Sequence, residues 1–368
     1  MTRALQTFPW DSLAEAKALA RAHPDGLVDL SVGTPVDPVP QPIQDALASA
    51  AAVPGYPTTH GTPELREAAV GALTRRHGVT GLPADAVLPT IGSKELVAWL
   101  PTLLGLGAGD LVVIPSLAYP TYQAGVELAG ARLLRADSTV AVGPERPALL
   151  WLNSPSNPTG QVLPAEHLRK VVDWARERGT LVVSDECYLT LGWDAAPVSV
   201  LHPDVCGGSF DGVLAVHSLS KSSSLAGYRA GFVAGDPSLV ARLLATRRNA
   251  GMIVPRPVQA AMTAALSDDE HVAAQRDRFR ARRAALWTAL LGAGFRIDHS
   301  AAGLYLWATR DEPAWETVRW LAERGVLVAP GTFYGPTGDR HVRVALTATD
   351  ERVAAAAARL AKPGRTPS

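Results

Sequence analysis

The amino-acid sequence predicts an α/β fold, a mostly parallel sheet sandwiched by helices, accompanied by a smaller α+β unit. Two observations predict it. From about residue 65 to 235, short apolar runs alternate with helix-period segments, as expected for strands buried on both faces of a parallel sheet. Beyond about residue 237 the pattern changes to long Ala- and Arg-rich helices with scattered strands. At 368 residues the chain exceeds the usual single domain. We expect a large domain at 42–240 and a small one built from 1–41 and 241–368.

The elements follow in order. The opening "FPWDSLAEAKALA" has the apolar spacing of an amphipathic helix, with Ser12 and Glu15 placed as a capping box. "TIGSKELVAWL" is a glycine turn opening a helix, and "GLGAGD" a helix-to-strand turn. The strand runs "LVVIP", "ALLWLNSP", "TLVVSDE", "GVLAVHS" and "AGFVAGD" follow, with helices "YPTYQAGVELAGA" and "AEHLRKVVDWARERG" between them. After the long helix "QRDRFRARRAALWTALLGAG" come "GLYLWATR", a helix "AWETVRWLAERG", "VLVAP", "HVRVALTA" and a last helix. The tail "KPGRTPS" reads as frayed.

Composition excludes several functions. Lys and Arg total 35 and Asp and Glu 35, so the surplus of positive charge that nucleic acid requires is missing. Cys187 and Cys206 are the only cysteines and form no zinc spacing, so no metal site is expected. The start lacks the features of a signal peptide, and no uncharged stretch approaches the ~20 residues of a membrane helix. A cytoplasmic protein is expected. "GLGAGD" fails the G-x-G-x-x-G pattern and no G-x-x-x-x-G-K-[ST] occurs, which argues against dinucleotide binding and nucleotide hydrolysis.

In parallel sheets ligands collect beyond the carboxyl ends of the strands. The residues there are Asn153 to Gly160, Asp185 to Tyr188, and Ser218 to Lys221. Lys221 offers an amine that can form a Schiff base with a carbonyl, provided its pKa is pulled down, and the nearby Arg229 would help. Asp185, directly after "LVVS", can hold a proton on a heteroaromatic nitrogen. Ser218, Ser220 and Arg229 offer two hydroxyls and a fork for a phosphate dianion. Gly92, Ser93 and Lys94 add the first backbone amides of a helix, a natural anion site. An aldehyde-trapping amine, a pyridinium-holding acid and a phosphate cradle are what pyridoxal 5'-phosphate demands.

"SLSKSSSLAGYRAG" resembles the S-x-S-K-x5-G-x-R-x-G signature of fold-type I, class I/II aminotransferases, and "YPTTHGTPELREA", "SPSNPTG", "SDECY" and "VRVAL" stand in that family's order. The resemblance implies a large domain with a seven-stranded sheet and the cofactor pyridoxal 5'-phosphate. By the same resemblance Lys221 bonds the cofactor aldehyde, while Ser218, Ser220 and Arg229 bind phosphate. Asp185 pairs with the ring nitrogen, Asn157 and Tyr188 with the ring 3-hydroxyl, and Tyr119 stacks on the ring. Arg343 clamps the substrate α-carboxylate, with Asn157 and a backbone contact at Gly33. Tyr56 reaches the phosphate of a neighbouring subunit, which implies a homodimer with shared sites. The substrates implied are an amino acid and a 2-oxo acid, exchanged in two stages. "HSLSKSSSLAGYRAGFVAGD", "FPWDSLAEAKALA" and "GYPTTHGT" look like the actinobacterial succinyldiaminopimelate aminotransferases of lysine and cell-wall synthesis. Another amino-acid substrate, or a β-lyase on the same fold, is the alternative.

Each residue also has a plainer reading. Asp185 alone fits a helix N-cap, Asn157 to Gly160 a turn, and Tyr119 and Tyr188 core aromatics. Arg343 fits an exposed strand face and Lys94 a helix cap. His217 reads as a packed, hydrogen-bonded strand residue, and Trp151 and Trp307 as core.

Overall fold

The computed structural model describes residues 9–361. Strand β1 (Val28–Asp29) pairs in parallel with Val326–Leu327 and ties the start of the chain to its last third. The large sheet is built from β2 (Val87–Ile91), β3 (Leu111–Ile114), β4 (Arg132–Arg135), β5 (Leu149–Asn153), β6 (Leu181–Asp185), β7 (Val213–Ser218) and β8 (Ala230–Gly235). Its order is β2-β8-β7-β6-β5-β3-β4. β8 runs antiparallel to both neighbours, and the remaining pairs are parallel.

Side chains alternate across this sheet with period 2, and each face has its own core. Val113, Leu150, Leu152, Val182, Val213 and Ala215 pack with helices Pro63–His77, Ala165–Arg176 and Arg256–Ser267. Val112, Ile114, Leu149, Trp151, Val183, Leu214 and Val216 pack with helices Ser93–Leu103, Thr121–Ala129 and Pro237–Asn249. Each fully buried Val or Leu contributes about 1.5–3 kcal/mol. Helix Arg256–Ser267 lies beyond residue 240 in sequence, yet it gives Ala261, Met262, Ala265 and Leu266 to the large-sheet core.

The second sheet comprises β9 (Arg296–Asp298), β10 (Tyr305–Thr309), β12 (Ala329–Pro330) and β13 (Val342–Ala345), all antiparallel, in the order β12-β13-β10-β9, with β11 being Val326–Leu327. Its core includes Phe279, Leu286 and Leu290 from the long helix Glu270–Gly292.

Two expectations, for Ser12 and His217, and two of the plainer readings, for Arg343 and Asp185, are corrected. Ser12 caps no helix: it sits inside the 3-10 turn Pro9–Leu13, where its hydroxyl donates to the Pro9 carbonyl at 2.6 Å, and the helix starts at Ala14. Arg343 is not on an exposed strand face, being 1% exposed. His217 is packed on Phe232 at 4.8 Å, but its Nε2 has no hydrogen-bond partner. Asp185 ends strand β6 and caps no regular helix, because the turn after it leads into irregular chain. Trp151 and Trp307 are core residues. The tail 362–368 lies outside the described residues.

Candidate active site

The parallel register sets the site. Asn153 of β5 lies opposite Asp185 of β6, and Asp185 opposite Val216 of β7, so three strand ends open side by side. β7 is followed by the short helix Leu219–Ser222, which carries Lys221 before the chain returns as β8. The serine-rich segment is therefore a structured connection between antiparallel neighbours. These ends form the floor of a cavity of about 560 Å³.

Lys221 lines that cavity, and its Nζ donates to the Gly33 carbonyl. Its pKa is pushed down to about 8, chiefly by burial; the Arg343 and Arg229 charges act in the same direction and the Cys187 thiol opposes them. Arg229 thus helps as expected, behind burial and Arg343. A reactive amine needs this depression.

Asp185 shares the side-chain parity of Leu181 and Val183, so it faces the helix Thr121–Ala129. There the Tyr122 hydroxyl donates to Oδ2 at 2.7 Å, while the Cys187 amide donates to Oδ1 at 3.1 Å. Burial raises the Asp185 pKa, and the Cys187 and Tyr122 donors lower it.

Gly92 turns the chain from β2 into helix Ser93–Leu103 at φ 73°. A Cβ there would lie 2.4 Å from Arg229 Nη2, so the glycine lets the guanidinium approach the first helical turn. Arg229 is exposed at the cavity rim and holds φ 56°, an unfavourable backbone conformation for a side chain of this size. The Ser218 hydroxyl accepts from the Ser220 amide at 3.2 Å, fixing the turn that carries both serines. Lys94 Nζ stands 5.7 Å from the centre of the Tyr119 ring.

On the opposite wall, Arg343 Nη1 donates to Asn157 Oδ1 at 2.9 Å and Nη2 to the Ser31 carbonyl at 2.8 Å. Its guanidinium lies 3.8 Å from the Tyr305 ring centre. Its Nε has no partner, and among the described residues no carboxylate forms an ion pair with it. A buried guanidinium lacking an anion fits a ligand carboxylate. The Tyr188 and Tyr305 hydroxyls are 3.1 Å apart, and a Cβ on Gly33 would strike the Tyr305 hydroxyl.

Of the residues expected from sequence, Gly33, Ser93, Lys94, Tyr119, Asn157, Asp185, Tyr188, Ser218, Ser220, Lys221, Arg229 and Arg343 line this one cavity, with Gly92 beside it. Tyr56 does not: it is 100% exposed on the surface. Asn153 and Cys187 also line the cavity; both fall within the post-strand segments expected from sequence, which assigned them no role, whereas Trp10, Tyr122 and Tyr305 are not among the expected site residues. Asn153 holds the loop in place, with Nδ2 donating to the Asp185 carbonyl at 2.9 Å and Oδ1 accepting from the Asn157 amide at 2.7 Å. Its position at a strand end was a usable signal; Trp10 and Tyr305 offered none, because only folding brings them near Arg343.

Among the described residues no cluster suits a metal ion, and no helix is long and apolar enough to cross a membrane. The amine, the acid, the glycine-and-arginine cradle and the anion-free Arg343 fit pyridoxal 5'-phosphate and an amino-acid carboxylate. The chain is 69% identical to a probable aminotransferase of Mycobacterium tuberculosis, over 98% of this chain and 86% of that protein. It is 60% identical to the 4-dedimethylamino-4-oxo-anhydrotetracycline transaminase of Streptomyces rimosus, over 97% of this chain and 99% of that one. A solved structure of a probable N-succinyldiaminopimelate aminotransferase from Thermus thermophilus superposes with a TM-score of 0.86 at 31% identity, covering 96% of this chain and 99% of that one. The family model for aminotransferase class I and II matches residues 25–360, and the chain belongs to that pyridoxal-phosphate-dependent family.

Proposed function

We propose that this aminotransferase exchanges the amino group between N-succinyl-LL-2,6-diaminopimelate and 2-oxoglutarate, with glutamate as the physiological donor. The observation that carries an amino acid and a 2-oxo acid as substrates is Arg343, a buried cation with Nε unpartnered, in the same cavity as a lysine amine of pKa about 8. The succinylated substrate is supported by the resemblance in sequence and by likeness to the Thermus thermophilus protein of that name.

Pyridoxal 5'-phosphate, when bound, supplies an aldehyde for the amino group and a ring that takes up the electrons of the broken Cα–H bond. In our reading Ser218, Ser220, Arg229 and the amides at Gly92, Ser93 and Lys94 hold the phosphate. Tyr119 covers the ring face, Asn157 and Tyr188 bind its 3-hydroxyl, and Asp185 keeps its nitrogen protonated. Arg343, with Asn157 and the backbone at Gly33, fixes the substrate carboxylate and so the orientation of Cα. Lys221 Nζ takes the Cα proton and returns it at the cofactor's C4'. The fully exposed Tyr56 serves the phosphate of a second subunit in a homodimer. We further infer a cytoplasmic protein with a large domain at 42–240, whose core also takes the apolar face of helix Arg256–Ser267, and a small one from 1–41 and the rest of 241–368.

The Streptomyces rimosus relative favours a second reading, amination of a polycyclic ketone by an amino-acid donor. The test is to mix cofactor-loaded protein with N-succinyl-LL-diaminopimelate, with glutamate, and with a 4-oxo-anhydrotetracycline, following the visible cofactor band, with Lys221→Ala as control. Loss of the band with the succinyl compound and its return with 2-oxoglutarate supports the first reading. Conversion by glutamate, followed by return of the band only with the ketone, supports the second.

A further inference from the structure

The Asp185 carboxylate is held by donors from two different elements. Tyr122 comes from the helix Thr121–Ala129 and the Cys187 amide from the turn after β6, while the Cys187 thiol donates to Ser93 Oγ at 3.2 Å. Tyr122 is 1% exposed, and its ring packs edge-on against Trp151 with centres 5.1 Å apart. Its helix is seated against Ser93–Leu103 at Gly125, where a Cβ would lie 2.8 Å from the Val97 carbonyl oxygen. That close approach sets how far Tyr122 reaches toward the sheet.

We propose that Tyr122 is a positioning residue whose hydroxyl keeps the Asp185 carboxylate ionised and aimed into the cavity, so that Asp185 can hold the proton of the cofactor ring nitrogen. This rests on assigning Asp185 to that nitrogen. Burial pushes Asp185 toward its neutral form, and removing one donor from a buried charged acceptor leaves the desolvation cost less opposed. Of the other titratable groups around Asp185, the Cys187 thiol also holds its pKa down and stays in place in Tyr122→Phe, while Lys221, Tyr188 and Glu186 are engaged elsewhere. Lys221 bonds Gly33, Tyr188 bonds Tyr305, and Glu186 turns away to Ser199 Oγ and the Val200 amide. Glu186 titrates near pH 7, but it does so with or without the Tyr122 hydroxyl, so only a difference between variants reports on Asp185.

The experiment compares holoenzymes of wild type, Tyr122→Phe and Asp185→Asn. In Tyr122→Phe the acid limb of kcat/KM should move to higher pH, kcat at neutral pH should fall roughly tenfold, and the visible cofactor band should titrate differently. A cofactor methylated on the ring nitrogen carries its charge at every pH, so it should restore Tyr122→Phe and Asp185→Asn alike. If Asp185→Asn is impaired and rescued while Tyr122→Phe matches wild type in rate, acid limb and band, the Tyr122 role is wrong and the Asp185 assignment stands. An unimpaired Asp185→Asn would remove both. Trp151→Phe loosens the same packing and leaves the hydroxyl in place; it should lower Tm only, and an equal shift of its acid limb would overturn the proposal. Should Tyr122→Phe not fold, 3-fluorotyrosine at 122, a stronger donor, should move the acid limb to lower pH, and no movement would count against the proposal.

Discussion

Arg343 donates to Asn157 at 2.9 Å, and this single contact joins strand β13 of the small sheet to the loop after β5 of the large one. Asn157 Oδ1 is thereby occupied by an internal donor. The Arg343 fork is already aimed, by Asn157 on one arm and the Ser31 carbonyl on the other, before any carboxylate arrives.

Arg343→Lys should therefore raise KM for both the amino acid and the oxo acid, by roughly 100-fold, because a point charge on a flexible stem cannot reproduce the fork or its stacking on Tyr305. The cofactor band of the variant should be unchanged. Steady-state kinetics alongside a spectral titration check both parts, and an unaltered KM would remove Arg343 from substrate binding.

Lys221 has a depressed pKa, and its effect on stability has a definite sign. Between about 8 and the ordinary 10.5, the unfolded chain binds more protons than the folded one, so stability rises with pH across that window. Below it the buried ammonium costs about 3 kcal/mol. In cofactor-free protein, Lys221→Met should be more stable than wild type at pH 7, with the advantage shrinking toward pH 10.5. Urea denaturation at the two pH values measures this, and an equal difference at both would contradict it.

The central strands β3, β5, β6, β7 and β8 are legible in the sequence because each is a short, mostly apolar run bounded by polar or turn-forming residues. The two edge strands of the large sheet are not. β2 contains Pro89, which reads as a break but is tolerated at an edge, and β4 begins and ends with Arg132 and Arg135 because one side of it faces solvent. The same division holds at the site. Lys221, Asp185, Asn157 and Arg229 stand in contiguous motifs, whereas Tyr305 and Trp10 reach Arg343 only through the pairing of β10 with β13 and the folding back of the chain start. Tyr122 stands beside Tyr119 in "YPTY", and nothing in that motif says which tyrosine turns toward β6.

Gly92→Ala tests the anion cradle. The new Cβ would meet Arg229 Nη2, and the φ of 73° disfavours any side chain. Arg229 can swing aside, so the fold should survive with a loss of about 1 kcal/mol. The cofactor should bind roughly tenfold more weakly, as read by titrating the visible band. Unchanged affinity would mean that the phosphate is held elsewhere.

The helix Ser93–Leu103 that supplies those amides is anchored by a buried ion pair. Arg247, 0% exposed, grips both Glu95 oxygens at 2.8 and 3.0 Å, and the Ile91 amide adds a third donor at 3.2 Å. Glu95→Ala would leave a guanidinium buried without its counter-charge, which costs about 3–5 kcal/mol. Replacing both partners by apolar residues, as in Glu95→Leu with Arg247→Met, removes the unpaired charge and should recover most of that loss. Urea denaturation of the single and double variants measures the difference. Cofactor affinity should fall in the double variant even where stability returns, because the Ile91 amide has then lost its acceptor and the turn at Gly92 its anchor. A double variant that recovers both would separate the anion site from this ion pair.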